Sequence, residues 1–359
     1  MLIMRCGILA VLLGLGMAPI GRGYAQEPGS PANSQGKIQL DVEVTTDKGK
    51  PTGLLDEKDF TVLDNKNPRP IVSFTPVKGK DAQLEVLIIV DSVNTPFTYL
   101  GSQRQQISKY LRSNDGVLPY PTSFAILTDK NFELHSVATK DGNALADQLD
   151  HADIGLREIN RSQGFWGAAD RMTISLNALR SLTEAEEKQP GRKLVLWVSP
   201  GWPLLSGPNM QLDGGQADDV YRNAIAFSRE LRNADITLYS VNSWGASESV
   251  GREFFYQNFL KWLKGPADAE WGNVSLQVLA TQSGGLVLNS NDVASMMRQC
   301  IADADQYYRI VLDAAPDEKP NMYHQIEVKV APRDLEARTR TGYYSQPSGS
   351  MEECYLYGQ

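Results

Sequence analysis

Residues 84 to 95 read LEVLIIVDSVNT, a run of largely branched apolar residues that ends in a carboxylate and passes into helix-compatible sequence. No other segment restricts the fold as much. A strand that is apolar at consecutive positions has no solvent face, so it lies within a parallel sheet covered by helices on both sides. Ligands of open α/β sheets are met at the carboxyl ends of the strands. Asp91 and Thr95 stand at that end and are the first candidate binding residues.

The rest of the middle block alternates in the same way. Strand patterns at 84–90, 123–128, 134–138, 193–199, 236–242 and 285–289 are separated by helical patterns at 102–113, 142–149, 169–188, 217–233, 274–282 and 293–304. Alternation of this kind specifies an α/β, doubly wound, mostly parallel sheet. Asp141 and Asn291 stand where helix N-caps are expected. The flanking blocks are β only. KIQLDVEVTT (37–46) alternates apolar and polar residues, 60–63 and 71–74 add short strands, and 307–312, 324–330 and 335–344 follow the last helix. Neither flank buries a core alone, whereas together they supply about six strands, enough for a small sandwich. The expectation is one β-sandwich built from both chain ends (37–80 and 304–346) with the α/β domain (81–303) inserted between them.

Residues 1–25 read as a cleavable signal peptide. Arg5 is the positive n-region, Gly7 to Ile20 the apolar core, and Gly23-Tyr24-Ala25 the cleavage site. The core is shorter than the roughly 20 residues that a membrane span needs. Secretion or periplasmic export is therefore expected, a retained anchor being the other reading. A linker (26–36) follows, and residues 347–359 form a tail. Cleavage removes Arg5 and Arg22 and takes the net charge from −8 to −10. An acidic chain without a basic run lacks the electrostatic footprint of a nucleic-acid binder. Two cysteines remain, Cys300 and Cys354. They read either as one disulfide that pins the tail or as a buried thiol and an unpaired tail cysteine.

Segments at 38–76, 187–202, 275–290 and 305–345, in that order, are similar to the von Willebrand factor A-related proteins abundant in acidobacteria. The resemblance spans Ile38 to Ser345 and implies a von Willebrand factor A-like central domain. Asp91-Ser92-Val93-Asn94-Thr95 resembles the Asp-x-Ser-x-Ser of a metal-ion-dependent adhesion site. Such a site implies a Mg²⁺-class cation held by a strand-end Asp, two hydroxyls, a loop Thr and a further Asp. Asp91 and Thr95 match, and Thr173 is the candidate loop Thr. Val93 cannot ligate, and Ser199 stands where the further Asp is expected. One carboxylate is too little charge to hold Mg²⁺ tightly, so no tight or stabilising cation is expected.

Aromatic residues gather at the same predicted edge: Phe165-Trp166 before the long helix, Trp202 after the fourth sheet strand and Trp244 after the fifth. Trp166, Trp202 and Trp244 join Asp91 and Thr95 as candidate binding residues, with Trp202 and Trp244 read as the exposed pair. Phe254, Phe255, Phe259 and Trp262 have amphipathic-helix spacing, which reads as a local core under a long insertion. Catalytic patterns are thin. The chain has three histidines, His135, His151 and His324, none of them in a nucleophile or zinc motif. The expected function is non-catalytic recognition of a protein or peptide partner. An envelope scaffold without ligand binding is the alternative, and a hydrolase the remote one.

Overall fold

The computed structural model describes residues 36–46, 53–154, 164–203, 211–243, 255–315, 320–331 and 334–345. The signal peptide, Trp244, Phe254 and Cys354 lie outside them. The period-two pattern of the first block makes β1 (Lys37–Thr46), which buries Ile38, Leu40, Val42 and Val44. β2 (Phe60–Asp64), β3 (Asn67–Arg69) and β4 (Ile71–Lys78) follow.

The α/β block then runs β5 (Leu84–Asp91), α1 (Phe97–Leu111), β6 (Val117–Leu127), β7 (Phe132–Leu134), β8 (Thr139–Asp141) and α2 (Gly142–His151). It continues with α3 (Gly164–Glu186), β9 (Arg192–Val198), α4 (Gly214–Asn233), β10 (Ile236–Asn242), α5 (Leu276–Gln282), β11 (Val287–Asn289) and α6 (Val293–Ala302). Strands β12 (Gln306–Asp313), β13 (Tyr323–Val330), β14 (Leu335–Arg338) and β15 (Gly342–Tyr344) close the described chain.

The central sheet has the order β7-β6-β5-β9-β10-β11, parallel from β6 to β11 and antiparallel at β7, with β8 paired to β6. Counted without β8, this is the order 3-2-1-4-5-6, whose direction of winding reverses between β5 and β9. β5 shows why its sequence is apolar from Val86 to Val90. Val86, Ile88 and Val90 pack on one face with Ile107 and Leu111 of α1 and Met297 and Ile301 of α6. Leu87 and Ile89 pack on the other with Leu179 of α3, Phe227 of α4 and Leu279 of α5.

The two chain ends combine as the strand patterns imply. One sheet has the order β14-β1-β12-β4 and the other β15-β13-β2-β3. Ile38, Leu40 and Val42 of β1 share a core with Phe60 and Val62 of β2, Ile310 of β12 and Ile326 of β13. The strand expected over 335–344 is split. β14 pairs with β1 in one sheet and β15 with β13 in the other, so the chain crosses between sheets at 339–341. The strand expected at 134–138 instead lies at Phe132–Leu134, because a tight turn from Thr128 to Asn131 brings Phe132 opposite Leu127. The amphipathic helix expected around Phe255–Trp262 is also corrected. That stretch holds short 3₁₀ turns, with Phe259 buried against Gly272 and Trp262 stacked on Tyr323 of β13 at 4.6 Å.

Charged groups join the sandwich to the inserted domain alongside the Trp262–Tyr323 stack. Arg192, at the start of β9, is only 1% exposed. It pairs with Glu43, lies 3.4 Å from Asp41, and has its guanidinium 4.4 Å above the Tyr307 ring. Arg309 holds Asp41 through two bonds of 2.9 and 3.0 Å and reaches Asp235 at 3.1 Å. Arg338 meets Asp303 at 2.5 Å, and Tyr239 donates to the same carboxylate at 2.7 Å. Charges this deep are tolerated because each has a partner, and removing one partner would strand the other.

Candidate functional site

β5 delivers Asp91 to the carboxyl edge of the sheet, beside the point where the winding reverses. The chain turns there because the Ser92 amide and hydroxyl both donate to the Leu127 carbonyl, at 2.9 and 2.8 Å. Val93 then points into the core on the α3 side. Asn94 folds back over the strand end, Thr95 is buried, and Pro96 leads into α1.

The Asp91 carboxylate is completely buried and surrounded by donors. Its Oδ1 accepts from the Asn94 backbone N–H at 2.9 Å. Its Oδ2 accepts from Asn94 Nδ2 at 2.8 Å and from Trp197 Nε1 at 2.9 Å. Asn94 Nδ2 also donates to Ser175 Oγ of α3 at 2.9 Å, and Ser175 in turn donates to the Arg171 carbonyl. Burial pushes the Asp91 carboxyl above its ordinary value, opposed by the bonds from Asn94, Trp197 and Ser199. One turn, one helix and one neighbouring strand are thereby tied to a single side chain.

Three sequence expectations change here. Thr173 does not reach Asp91. It lies on the exposed side of α3, and its Oγ1 donates to the Ala169 carbonyl at 3.0 Å. The α3 residue that meets the Asp91 turn is Ser175, two positions on, where a helical turn of about 100° per residue brings the opposite side inward. Trp202 is not an exposed anchor. It is 2% exposed and stands edge-on to Trp197 at 5.0 Å, in the core between β9, α4 and α5. Asp91 and Thr95 lie beneath the surface, so they shape the edge and do not form its outer face.

Two aromatic rings do reach solvent at this edge: Phe97 in the first turn of α1, 66% exposed, and Trp166 in the first turn of α3, 76% exposed. Trp166 was among the expected residues, whereas Phe97 was not. The available signal for Phe97 was its place directly after Thr95-Pro96, where an apolar residue opens a helix. Trp197 was also missed, because a tryptophan inside an apolar strand reads as core until its indole N–H is traced to a carboxylate.

His324 Nδ1 of β13 lies 2.7 Å from Asp64 Oδ1, and the same carboxylate accepts from the Tyr343 hydroxyl at 3.0 Å. Cys300 is a buried free thiol on α6, held well above its ordinary pKa by burial. Its proposed partner Cys354 is outside the described residues. Among the described residues no group of three or more His, Cys, Asp or Glu side chains is placed to hold a metal ion.

No family model matches this chain. No curated protein sequence matches it. Among solved structures it is similar to the manganese-loaded TRAP protein of Plasmodium vivax, at 8% identity and a TM-score of 0.33, over 74% of this chain and 96% of that one. It is similar to the SpRpn10 VWA domain at 12% identity and a TM-score of 0.28, over 60% and 93% of the respective chains. The human COPII-coat protein Sec24c matches at 8% identity and a TM-score of 0.30, over 73% of this chain and 44% of its own. Scores this low carry no argument about activity. The chain's own sheet, doubly wound and mostly parallel with an antiparallel edge strand, fits the von Willebrand factor A-like central domain expected from the sequence.

Proposed function

We propose that this chain is an exported, non-catalytic binding module of the acidobacterial von Willebrand factor A-related type, which recognises a protein or peptide through the strand-end edge of its α/β domain. The observation that carries this reading is the pair of exposed rings, Phe97 and Trp166, on the first turns of α1 and α3. The Asp91 turn leads directly into α1, and its Asn94 side chain holds α3 through Ser175. Rigid aromatic anchors on ordered elements are what protein recognition uses. The acidic balance of −8 speaks against nucleic acid as the partner. No helix among the described residues is long and apolar enough to cross a membrane.

The burial of Trp202 favours a second reading, a scaffold without ligand, since one of the expected anchors belongs to the core. Capture of partners from envelope extract separates the two. Phe97→Ala and Trp166→Ala are expected to keep the wild-type melting temperature and to weaken capture by about 2 kcal/mol, roughly 30-fold, each. Wild-type protein that retains nothing saturably, or variants that capture as well as wild type, would leave the scaffold. Export rests on residues 1–25. N-terminal sequencing of protein from the native envelope is expected to begin at Gln26, and a chain still carrying Met1 would refute cleavage.

A further inference from the structure

We propose that the Asp91 cluster is a cation-independent hub, in which the Trp197 indole and the Asn94 amide take the places that a divalent cation would occupy in a strand-end adhesion site. The donor set is what disagrees with a metal. Three N–H groups converge on one carboxylate: the Asn94 backbone N–H on Oδ1, and Asn94 Nδ2 and Trp197 Nε1 on Oδ2. A backbone N–H and an indole N–H have no lone pair to offer a cation. The amide nitrogen of Asn94 spends one hydrogen on Asp91 and the other on Ser175, which settles which end of that amide faces inward. Mg²⁺ demands near-octahedral oxygen at about 2.0–2.1 Å. Here the first hydroxyl position holds the buried Val93, and the second carboxylate position holds Ser199.

Room for a cation would require Trp197 to leave Oδ2. The ring cannot swing aside cheaply. It is fully buried, stands edge-on to Trp202, and grows from the carboxyl end of β9, where residue 197 still pairs with Ile89 on one side and Ser240 on the other. The turn at 91–95, α3 and β9 are therefore held in one arrangement by neutral donors. Resting on the recognition reading, this means that the strand-end edge is competent without any metal to switch it.

The test uses Mn²⁺ alone and needs no partner, so its failure is distinguishable from failure of the recognition reading. The mature chain is titrated with Mn²⁺ while the paramagnetic resonance of the free ion is followed. Its melting temperature is measured in chelator and in millimolar Mg²⁺. The expected results are no stoichiometric loss of free Mn²⁺ and equal melting temperatures. In ¹⁵N-labelled protein the Trp197 indole resonance, identified from its loss in Trp197→Phe, is expected far downfield and should move upfield in Asp91→Asn. Stoichiometric Mn²⁺ binding that Asp91→Ala abolishes overturns the proposal, as does a Trp197 resonance indifferent to Asp91→Asn. If Asp91→Asn does not fold, the two measurements on the wild-type chain decide.

Discussion

Tryptophans at three positions illustrate how one residue type serves opposite ends at the residue scale. Trp197 is buried and bonded to a carboxylate, Trp202 is buried against Trp197, and Trp166 stands in solvent. Truncating a buried tryptophan removes both transfer free energy and packing, so Trp202→Ala is expected to cost about 3–5 kcal/mol in urea unfolding. Trp166→Ala is expected to stay within about 0.5 kcal/mol of wild type. Equal losses for the two would contradict the burial described above. Sequence spacing could not separate these residues, because Trp166 and Trp202 both follow turn-rich segments at the same predicted edge. What distinguishes them is Gly201 at positive φ, which turns the chain after β9 back over the α5 side and folds Trp202 inward.

Elements were readable to the extent that their cause was local. β5 followed from an unbroken apolar run, and β1 from strict alternation; both occupy nearly the expected residues. Asp141 caps α2 as its position implied, accepting from the Ala144 amide at 3.0 Å. The cap of α6 is one residue later than expected: Asp292, not Asn291, accepts from the Ser295 amide. Capping depends on a backbone turn that neighbouring Asn and Asp residues serve equally well. β14 and β15 were merged in the sequence reading because their residues share strand-forming composition, and only the switch between two sheets separates them. The Asp91 hub was half readable. Asp91 and the damaged Val93 position stand within five residues, whereas Ser175 and Trp197 come from elements far along the chain and required the topology.

At the scale of the whole molecule, the junction between sandwich and α/β domain couples stability to pH. Two carboxylates face Arg192, and they divide the work. Asp41 is also gripped by Arg309 and is held below its ordinary value despite its burial. Glu43 is raised to about 7, chiefly by burial and with Asp303 adding repulsion, against the pull of Arg192 and Arg338. A carboxyl whose folded pKa exceeds its unfolded one contributes stability that is complete below about 4.5 and is lost as pH rises through about 7. The shift corresponds to roughly 3 kcal/mol as an upper order of magnitude. Denaturant unfolding between those limits should therefore show stability from this group falling as pH rises, and Glu43→Gln should flatten that component; an unchanged slope would show that Glu43 stays ionised. The same junction has a mechanical meaning. β1 and β15 both belong to the sandwich, so a pull applied at Lys37 and Tyr344 loads the sandwich ladders while β5 to β11 lie off the line of force. Under tension the exposed edge with Phe97 and Trp166 keeps its shape until strands of the sandwich have parted, which makes the small domain a strain relief for the large one.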